Sequence, residues 1–359
     1  MITRNYLEEA PLPTHAEGQN VIKASLFNLI VVTNTLQRAI HCQELVRSIT
    51  EKFPCRVIFV QVDEASQPDF FHTERSVQAS GLGDNAVYFD QLLIESSADQ
   101  LHKVPFLILP NIIPDLPIYI LLGQDPTQEH TILPQLQKYA ARVIFDIEAI
   151  DDLQGFSEKM LAALHIAHCN YVDIKWAKLK PWREGIARVF NDPEKLEMLQ
   201  QSKSVQITFV GRCDQSEQKN ELQALYLQAW LASRLNWTLL NVENEQGYIR
   251  ISYQSKNQPI TLSILPKDSE ALETGSLFAV EVMSYDDAHF LISHEGVGTS
   301  SHVTVHASTR DRCEMPYTLF FTNHQKGSSL VQEMFYQPSS EHYAQMLQIF
   351  SSPLWGKLA

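Results

Sequence analysis

One short stretch of the chain, residues 173–190, concentrates side chains that bind partners in many proteins. It reads DIKWAKLKPWREGIARVF and contains Trp176, Lys178, Lys180 and Arg183. Tryptophan and arginine are over-represented where binding energy concentrates at protein interfaces. A basic patch on an acidic protein can also steer an acidic partner or a phosphate group. These four residues are therefore the candidate partner-binding site.

The same stretch is also typical of a helix that packs against a core. Pro181 suits the first turn of a helix. Trp182, Ile186 and Phe190 follow at intervals of four residues, which places them on one helical face. We expect these residues, together with Asp173, to support the segment structurally, while Trp176 and the basic residues face a partner. Local composition alone does not separate the two interpretations.

A second pattern, two histidines four residues apart, could hold a metal ion. His302 and His306 would lie close together on a helix, but the valines between them favour a strand. On a strand the two positions share a face and are about 13 Å apart, which is too far for one ion. His294 could join them from a neighbouring strand. We expect ordinary strand histidines and no metal site.

Other catalytic motifs are missing from the sequence. GLGD at 81–84 is one glycine short of a dinucleotide-binding turn, and VGRCD at 210–214 lacks the second glycine and the Lys-Ser pair of a P-loop. The serine-hydrolase pattern G-x-S-x-G does not occur. We therefore expect no catalytic residues and no cofactor.

The composition restricts the class of protein further. The chain has 359 residues, of which 44% are apolar and 19% charged, as expected for a globular protein of two domains. Its net charge of -14 repels phosphate backbones, which disfavours nucleic acid as a partner. The five cysteines are widely spaced and form no C-x-x-C motif, which favours a reducing cytoplasm. The first residues lack the apolar region of a signal peptide.

Strands and helices alternate in the first half of the chain. The apolar run at 104–123 is long enough to span a membrane, but its four prolines would break a helix, so it predicts two buried strands and no membrane association. A helix at 34–53 is predicted to begin with Thr33 or Asn34 as its N-cap. Near-continuous apolar strands between helices indicate a Rossmann-like three-layer α/β domain. The predicted strands are 25–33, 55–62, 85–95, 106–109, 118–122 and 142–148, and the other helices are 131–140 and 152–168.

The second half has a different pattern. A polar, helical connector is predicted at 171–203, between an N-terminal domain at 1–170 and a C-terminal domain at 204–359. A strand at 205–211 and an apolar helix at 221–237 open the second domain. Alternating segments then predict an α+β domain with a largely antiparallel sheet. These segments are 247–254, 259–265, 276–284, 289–295 and 301–308, and a C-terminal helical region follows them.

Several ordered motifs resemble those of the OpcA family, the glucose-6-phosphate dehydrogenase assembly proteins. LFNLIVVT and FPCRVIFV resemble its opening strand and its H-P-x-R-x-I strand, with Phe53 in place of histidine. Residues 107–122 resemble its P-D-L-P segment. Residues 224–237 resemble its Y-x-x-x-W-L-A-S-R-L-G-W helix, with Asn236 in place of glycine. Its D-x-x-W-x-x-L-x-P-W-R segment is matched by Asp173, Trp176, Leu179, Pro181, Trp182 and Arg183.

The resemblance implies a protein that binds glucose-6-phosphate dehydrogenase without catalysing a reaction itself. Such a protein would promote the active oligomer of that enzyme and support NADPH supply in the oxidative pentose phosphate pathway. The residues alone leave a second hypothesis open: a metabolic enzyme or a metabolite sensor that binds a sugar phosphate in an interdomain cleft. Its candidate residues are Arg142, Arg183, Arg212 and His294. A small-molecule ligand is left open in both cases.

Overall fold

The structure is a computed structural model that describes residues 25–62, 68–80, 87–128, 130–147, 150, 152–166, 169–211, 220–245, 248–256, 258–294, 302–321 and 341–357. These residues divide into two compact units between Phe145 and Asp146. The predicted connector at 171–203 and its flanking domain boundaries stay a prediction. Within the described ranges, no helix combines the length and the apolar character needed to cross a membrane.

The first unit alternates strands with short helices around a largely parallel sheet. Its elements are β1 (Asn28–Thr33), α1 (Leu36–Thr50), β2 (Arg56–Val62), β3 (Phe71–Ser80), β4 (Val87–Ser96), α2 (Val104–Ile108), β5 (Ile118–Leu122), α3 (Leu133–Leu136) and β6 (Arg142–Phe145). Within this unit the strands run in the order β3-β4-β2-β1-β5-β6. β1 pairs in parallel with both β2 and β5, and every residue of β1 and of β5 is buried. This arrangement confirms the Rossmann-like fold class.

Two details of the first unit differ from the sequence prediction. Residues 106–109 were predicted as a strand, but α2 occupies Val104–Ile108. Pro105 lies in the first turn of α2, where proline is tolerated. The ring of Phe106 is 73% exposed, so the run is not buried on both sides as a central strand would be. A short apolar run does not by itself distinguish a strand from a helix.

The antiparallel edge strand β3 was missed altogether. It pairs with β4 over its whole length, and residues 73–75 are exposed. Edge strands often carry charged and polar side chains, which prevent pairing with other chains. The polar sequence FHTERSVQAS therefore lacks the apolar pattern by which the other strands were found.

The second unit begins with helices and continues into a largely antiparallel sheet. Its elements are α4 (Leu153–Ile166), β7 (Asn170–Asp173), α5 (Ile174–Lys178), α6 (Lys180–Val189), α7 (Pro193–Gln200), β8 (Ser202–Val210), α8 (Leu222–Leu235), β9 (Thr238–Glu245), β10 (Tyr248–Ser255), β11 (Gln258–Lys267), β12 (Leu277–Ser284), β13 (His289–Ser293), β14 (His302–Ser308), β15 (Tyr317–Phe320) and α9 (Glu341–Phe350). The strands from β8 onward run in the order β15-β14-β13-β12-β8-β11-β10-β9.

This second sheet is antiparallel except at one position. β8 lies between β12, to which it is antiparallel, and β11, to which it is parallel. Alternate residues of β10 point inward, including Ile251 and Tyr253. The hydroxyl of Tyr253 donates a 2.6 Å hydrogen bond to Oε1 of Gln228, which joins α8 to the sheet. The predicted α+β character is confirmed, whereas β9 and β15 were not predicted.

Candidate partner-binding site

Asp173 fixes the start of the candidate segment. It ends β7 and is the N-cap of α5. Its Oδ1 accepts hydrogen bonds from the backbone N–H groups of Lys175 at 2.8 Å and Trp176 at 3.2 Å. These N–H groups have no partner within the helix, so the side chain satisfies them and holds the turn from strand to helix in place.

The other carboxylate oxygen of Asp173 joins this turn to two distant helices. Oδ2 accepts hydrogen bonds from the hydroxyl groups of Tyr226, in α8, at 2.9 Å and Tyr343, in α9, at 3.0 Å. Burial raises the pKa of the Asp173 carboxyl to about 6, although the hydrogen bonds that it accepts act in the opposite direction. Burial and the neighbouring Asp173 raise the pKa of Tyr343 well above its ordinary value, which keeps its hydroxyl a donor.

Trp176 lies inside the molecule, which revises its role. Its side chain is 4% exposed, and its ring centroid is 5.6 Å from that of Tyr343. The guanidinium carbon of Arg183 lies over the Trp176 ring, 3.5 Å from its centroid, and Nη2 of Arg183 donates to the Trp176 carbonyl at 3.4 Å. The expectation that Trp176 faces a partner is corrected, because Arg183 and Tyr343 cover its ring.

The second tryptophan of the segment is also enclosed. Trp182 is 5% exposed, and its ring meets the rings of His294 and Phe321, each at a centroid distance of 5.5 Å. Further along α6, Ile186 and Phe190 are buried. These contacts bind one face of α6 to the interior of the second unit. Pro181 lies in the first turn of α6 and is half-buried.

The polar residues of the segment lie on its outward side. Lys178, Lys180 and Arg183 are each half-buried, and Arg188 is exposed. Lys175 points elsewhere: its Nζ lies 3.4 Å from Oδ1 of the fully buried Asp146. The candidate surface thus consists of half-buried cations, of which Arg183 stacks on the Trp176 ring.

The structure also locates the residues proposed for a metal or for a sugar phosphate. His302 and His306 lie on β14 as predicted, and the described residues contain no group of three or more metal-binding side chains. His294 donates from Nδ1 to the His302 carbonyl at 2.9 Å, and its ring packs against the rings of Trp182 and Phe321. Arg142 is the first residue of β6. Arg212, GLGD at 81–84 and residues 212–214 of VGRCD lie outside the described residues.

In the first unit, a buried arginine lies in the crevice at the carboxyl ends of β1 and β5. Doubly wound sheets bind dinucleotides at this point, with the pyrophosphate against the N-terminus of the helix that follows β1. Here Thr35, rather than the predicted Thr33 or Asn34, caps α1. The buried Arg38 donates from Nε to the Gly123 carbonyl at 2.7 Å.

The polar partners of Asp173 were not predicted. Tyr226 and Tyr343 lie 53 and 170 residues away in sequence, and neither has a local pattern that indicates a bond to a carboxylate. Tyr226 lies in the apolar helix that was predicted at 221–237. Asp173 ends β7 and is buried, and burial of a carboxylate demands hydrogen-bond donors. This strand was not predicted, so the sequence did not indicate that Asp173 is buried.

The fold is shared with solved structures of low sequence identity. One is a protein described as an oxidoreductase from Klebsiella pneumoniae, with a TM-score of 0.53, 7% identity and coverage of 93% of each chain. Another is the protein described as oxidoreductase YvaA from Bacillus subtilis, with a TM-score of 0.51, 8% identity, and coverage of 94% of this chain and 97% of that one. At such identities the likeness establishes the fold alone.

Sequence comparisons identify the family. Residues 46–162 match the family model described as the glucose-6-phosphate dehydrogenase subunit N-terminal domain, and residues 169–334 match that of the C-terminal domain. The OxPP cycle protein OpcA of Synechocystis is 25% identical over 201 residues, which are 54% of this chain and 41% of that protein. The corresponding protein of Synechococcus elongatus is 23% identical over 205 residues, which are 54% of this chain and 43% of that protein. The matches thus span less than half the length of these relatives. With both domain models matched in order, the chain belongs to the OpcA family.

Proposed function

We propose that this protein is a non-catalytic assembly factor that binds glucose-6-phosphate dehydrogenase and favours its active oligomer. In this role it would support NADPH production in the oxidative pentose phosphate pathway. The descriptions of the two matched family domains name this dehydrogenase, and the names of the cyanobacterial relatives refer to the OxPP cycle.

The buried arginine in the crevice at the carboxyl ends of β1 and β5 is the observation that supports the non-catalytic part of the proposal. A dehydrogenase with this fold needs that crevice for its nicotinamide dinucleotide. In this chain, the guanidinium of Arg38 occupies it and is tied to the Gly123 carbonyl. The Thr35 hydroxyl accepts from the Arg38 backbone N–H at 3.3 Å, so the helix N-terminus already has a partner.

An assembly factor acts by differential affinity. A protein that binds one oligomeric state of an enzyme more tightly than another shifts the population toward that state. A shift from about 1% to about 99% active oligomer requires roughly a 10⁴-fold difference in affinity. The surface that we assign to this contact comprises Lys178, Lys180 and Arg183, with Trp176 as the support of Arg183.

The decisive experiment titrates the cognate dehydrogenase with this protein at fixed substrate concentration. We expect its specific activity to rise and saturate near a simple stoichiometric ratio, together with a larger complex in size-exclusion chromatography. The protein alone serves as the control and should show no dehydrogenase activity. Unchanged enzyme activity and the absence of a complex would contradict the proposal.

We also propose a cytoplasmic location, in the compartment of the dehydrogenase. Cys42, Cys55 and Cys169 are buried free thiols, and burial raises the pKa of Cys55, which makes it unreactive. Cell fractionation should recover the chain together with the dehydrogenase. Its recovery in a different fraction would contradict this assignment.

A further inference from the structure

The sheet of the second unit has a buried face and a half-exposed face. On the buried face, α8 contacts β10 through the hydrogen bond from Tyr253 to Gln228, and α6 contacts β13 through the rings of Phe190 and Phe290, whose centroids are 4.8 Å apart. In β10 and β14 every second side chain is buried on this side, and the side chains between them are half-buried on the other side. We call this second side of the sheet the open face.

The pairing of the strands places one residue from each of seven strands in a single row across the open face. Glu281 in β12 and Arg250 in β10 carry opposite charges and are separated in this row by Gln206 in β8 and Ser263 in β11. With strands about 4.8 Å apart, each charge lies about 7 Å from a line midway between β8 and β11. The whole row, from β14 to β9, is His306, Leu291, Glu281, Gln206, Ser263, Arg250 and Glu243.

Both charged side chains are oriented by neighbours in the sheet. Oε1 of Glu281 lies 2.6 Å from Nε2 of His289. Nη2 of Arg250 donates to the Tyr248 hydroxyl at 3.3 Å. A carboxylate has two acceptor oxygens and a guanidinium has five N–H donors, so each group can bind more than one partner. A carboxylate and a guanidinium that meet across an interface form charge-assisted hydrogen bonds.

The strip between these two charges carries no charge of its own. Two copies of a chain with a net charge of -14 repel each other at long range, so they can only meet through a surface that is poor in negative charge. Depletion of charged residues is also typical of the centre of protein interfaces. The outward residues on either side of the midway line are Ser204, Gln206 and Thr208 in β8 and Thr261, Ser263 and Leu265 in β11.

The open face is large enough for a stable interface. The sheet has eight strands, which span about 38 Å at about 4.8 Å per strand. Five residues along each strand add about 17 Å in the other direction, which gives roughly 650 Å² of sheet before the relief of the side chains is counted. Each partner in a standard protein interface buries about 800 Å². Contact over the whole open face therefore reaches the size of a stable dimer interface.

We propose that the open face binds the open face of a second copy of this chain. The two-fold axis lies in the interface, parallel to the strands and midway between β8 and β11. Rotation about it places Glu281 of each copy opposite Arg250 of the other, and Gln206 opposite Ser263, with the sheets about 10 Å apart. An axis along the row would instead place each Glu281 opposite its own copy, which like charges disfavour.

The dimer gives the proposed assembly role a geometry, although it does not rest on that role. A two-fold dimer carries two copies of any surface that binds the dehydrogenase, and can therefore bridge two subunits of that enzyme. Linked binding sites raise the overall affinity without any new contact, provided that both can be occupied together.

The test is sedimentation equilibrium of the full chain without the dehydrogenase. We expect a wild-type mass of about twice the chain mass of 40.9 kDa. Glu281→Arg and Arg250→Glu should each raise the dissociation constant of the dimer at least about a hundredfold, because each creates two like-charge contacts. The double variant restores both pairs and should dimerise again. Glu184→Arg and Arg188→Glu, at exposed positions of α6, change the charge equally and are the matched controls, which should stay dimeric.

The outcomes separate this proposal from the assembly role. A monomeric wild type overturns the dimer, as do single variants that dimerise like the wild type or a folded double variant that stays monomeric. Circular dichroism checks folding, and Glu281→Gln and Arg250→Gln, expected to weaken the dimer about tenfold, replace any reversal that does not fold. If the wild type is monomeric and Arg250→Glu weakens dehydrogenase binding, the open face belongs to the enzyme, and only the dimer is wrong. If the dimer forms as expected and the dehydrogenase does not respond, the dimer stands and the assembly role falls.

Discussion

Asp173 combines functions that its position in the sequence only partly indicates. An aspartate directly before a helix is a common N-cap, so its bonds to the backbone of α5 follow from local rules. Its bonds to Tyr226 and Tyr343 depend on the tertiary fold and could not be predicted locally. The same distinction applies to the tryptophans. Trp182 belongs to a helical stripe that predicts burial, whereas Trp176 lies before that stripe and is buried by Tyr343 from a distant helix.

The raised pKa of Asp173 makes stability depend on pH. Its pKa is about 6 in the folded chain and 3.8 in an ordinary environment, so between these values the folded state binds more protons than the unfolded state. The free energy of unfolding should therefore fall as the pH rises from about 4 to about 6, by up to roughly 3 kcal/mol. Urea unfolding of the wild type and of Asp173→Asn across this range measures the effect. Equal slopes for the two proteins would show that Asp173 is not responsible.

Removal of the buried Trp176 ring should lower the stability of the folded protein more directly than it affects partner binding. Truncation in Trp176→Ala removes the contacts with Tyr343 and with the Arg183 guanidinium, and should lower the free energy of unfolding by about 3–5 kcal/mol. Phe106→Ala is the control, since this ring is 73% exposed. Chemical denaturation of both variants decides the matter. If Trp176→Ala is as stable as the control, the Trp176 ring does not stabilise the fold, and the original prediction that it faces a partner would stand again.

At the scale of elements, strong apolar patterns predicted structure well and polar patterns did so poorly. β1, β2 and β5 are buried and β-branched, and their boundaries were nearly correct. β3 and β15 are edge strands, whose polar or short sequences resemble loops. α2 was mistaken for a strand because a run of five apolar residues contains too few turns to show helical periodicity.

α1 packs closely against Gly123, which directly follows β5. A Cβ at Gly123 would lie 3.2 Å from both Cys42 Sγ and Thr33 Cγ2. Gly123→Ala should therefore lower the free energy of unfolding by about 1–3 kcal/mol through overpacking. Gly356→Ala, where the nearest atom would be 3.5 Å away, should change it little. Thermal unfolding compares the two variants, and equal midpoints would argue against a tightly packed crevice.

The whole molecule has a fold shared with proteins described as oxidoreductases, and a buried arginine lies in the crevice where doubly wound folds bind dinucleotides. The sequence motifs show only that no G-x-G-x-x-G turn occurs. They could not predict that Arg38 would occupy the space, because its partner Gly123 lies 85 residues further along the chain. The overall fold was thus predictable from the order of strands and helices. The position of Arg38 in the crevice depends on contacts between elements that are distant in sequence.

The buried Arg38 at the carboxyl ends of β1 and β5 predicts that the protein does not bind a nicotinamide dinucleotide. Titration of NADPH with this protein should leave the nicotinamide fluorescence unchanged at concentrations where the dehydrogenase itself gives a clear signal. The physical reason is that the ligand would have to displace the buried Arg38 and its 2.7 Å hydrogen bond to Gly123. Saturable binding of NADPH to the purified protein would contradict the non-catalytic assignment.

The hydrogen bond from Tyr343 to Asp173 also has a consequence for synthesis on the ribosome. The two residues are 170 positions apart, and at about 5–20 residues per second the ribosome reaches Tyr343 roughly ten to thirty seconds after Asp173. During that interval the nascent chain must keep the Asp173 carboxylate hydrated or only partly bonded. The second unit therefore completes its polar core after translation of its last described helix, and truncated chains that end before this helix should be substrates for chaperones and proteases.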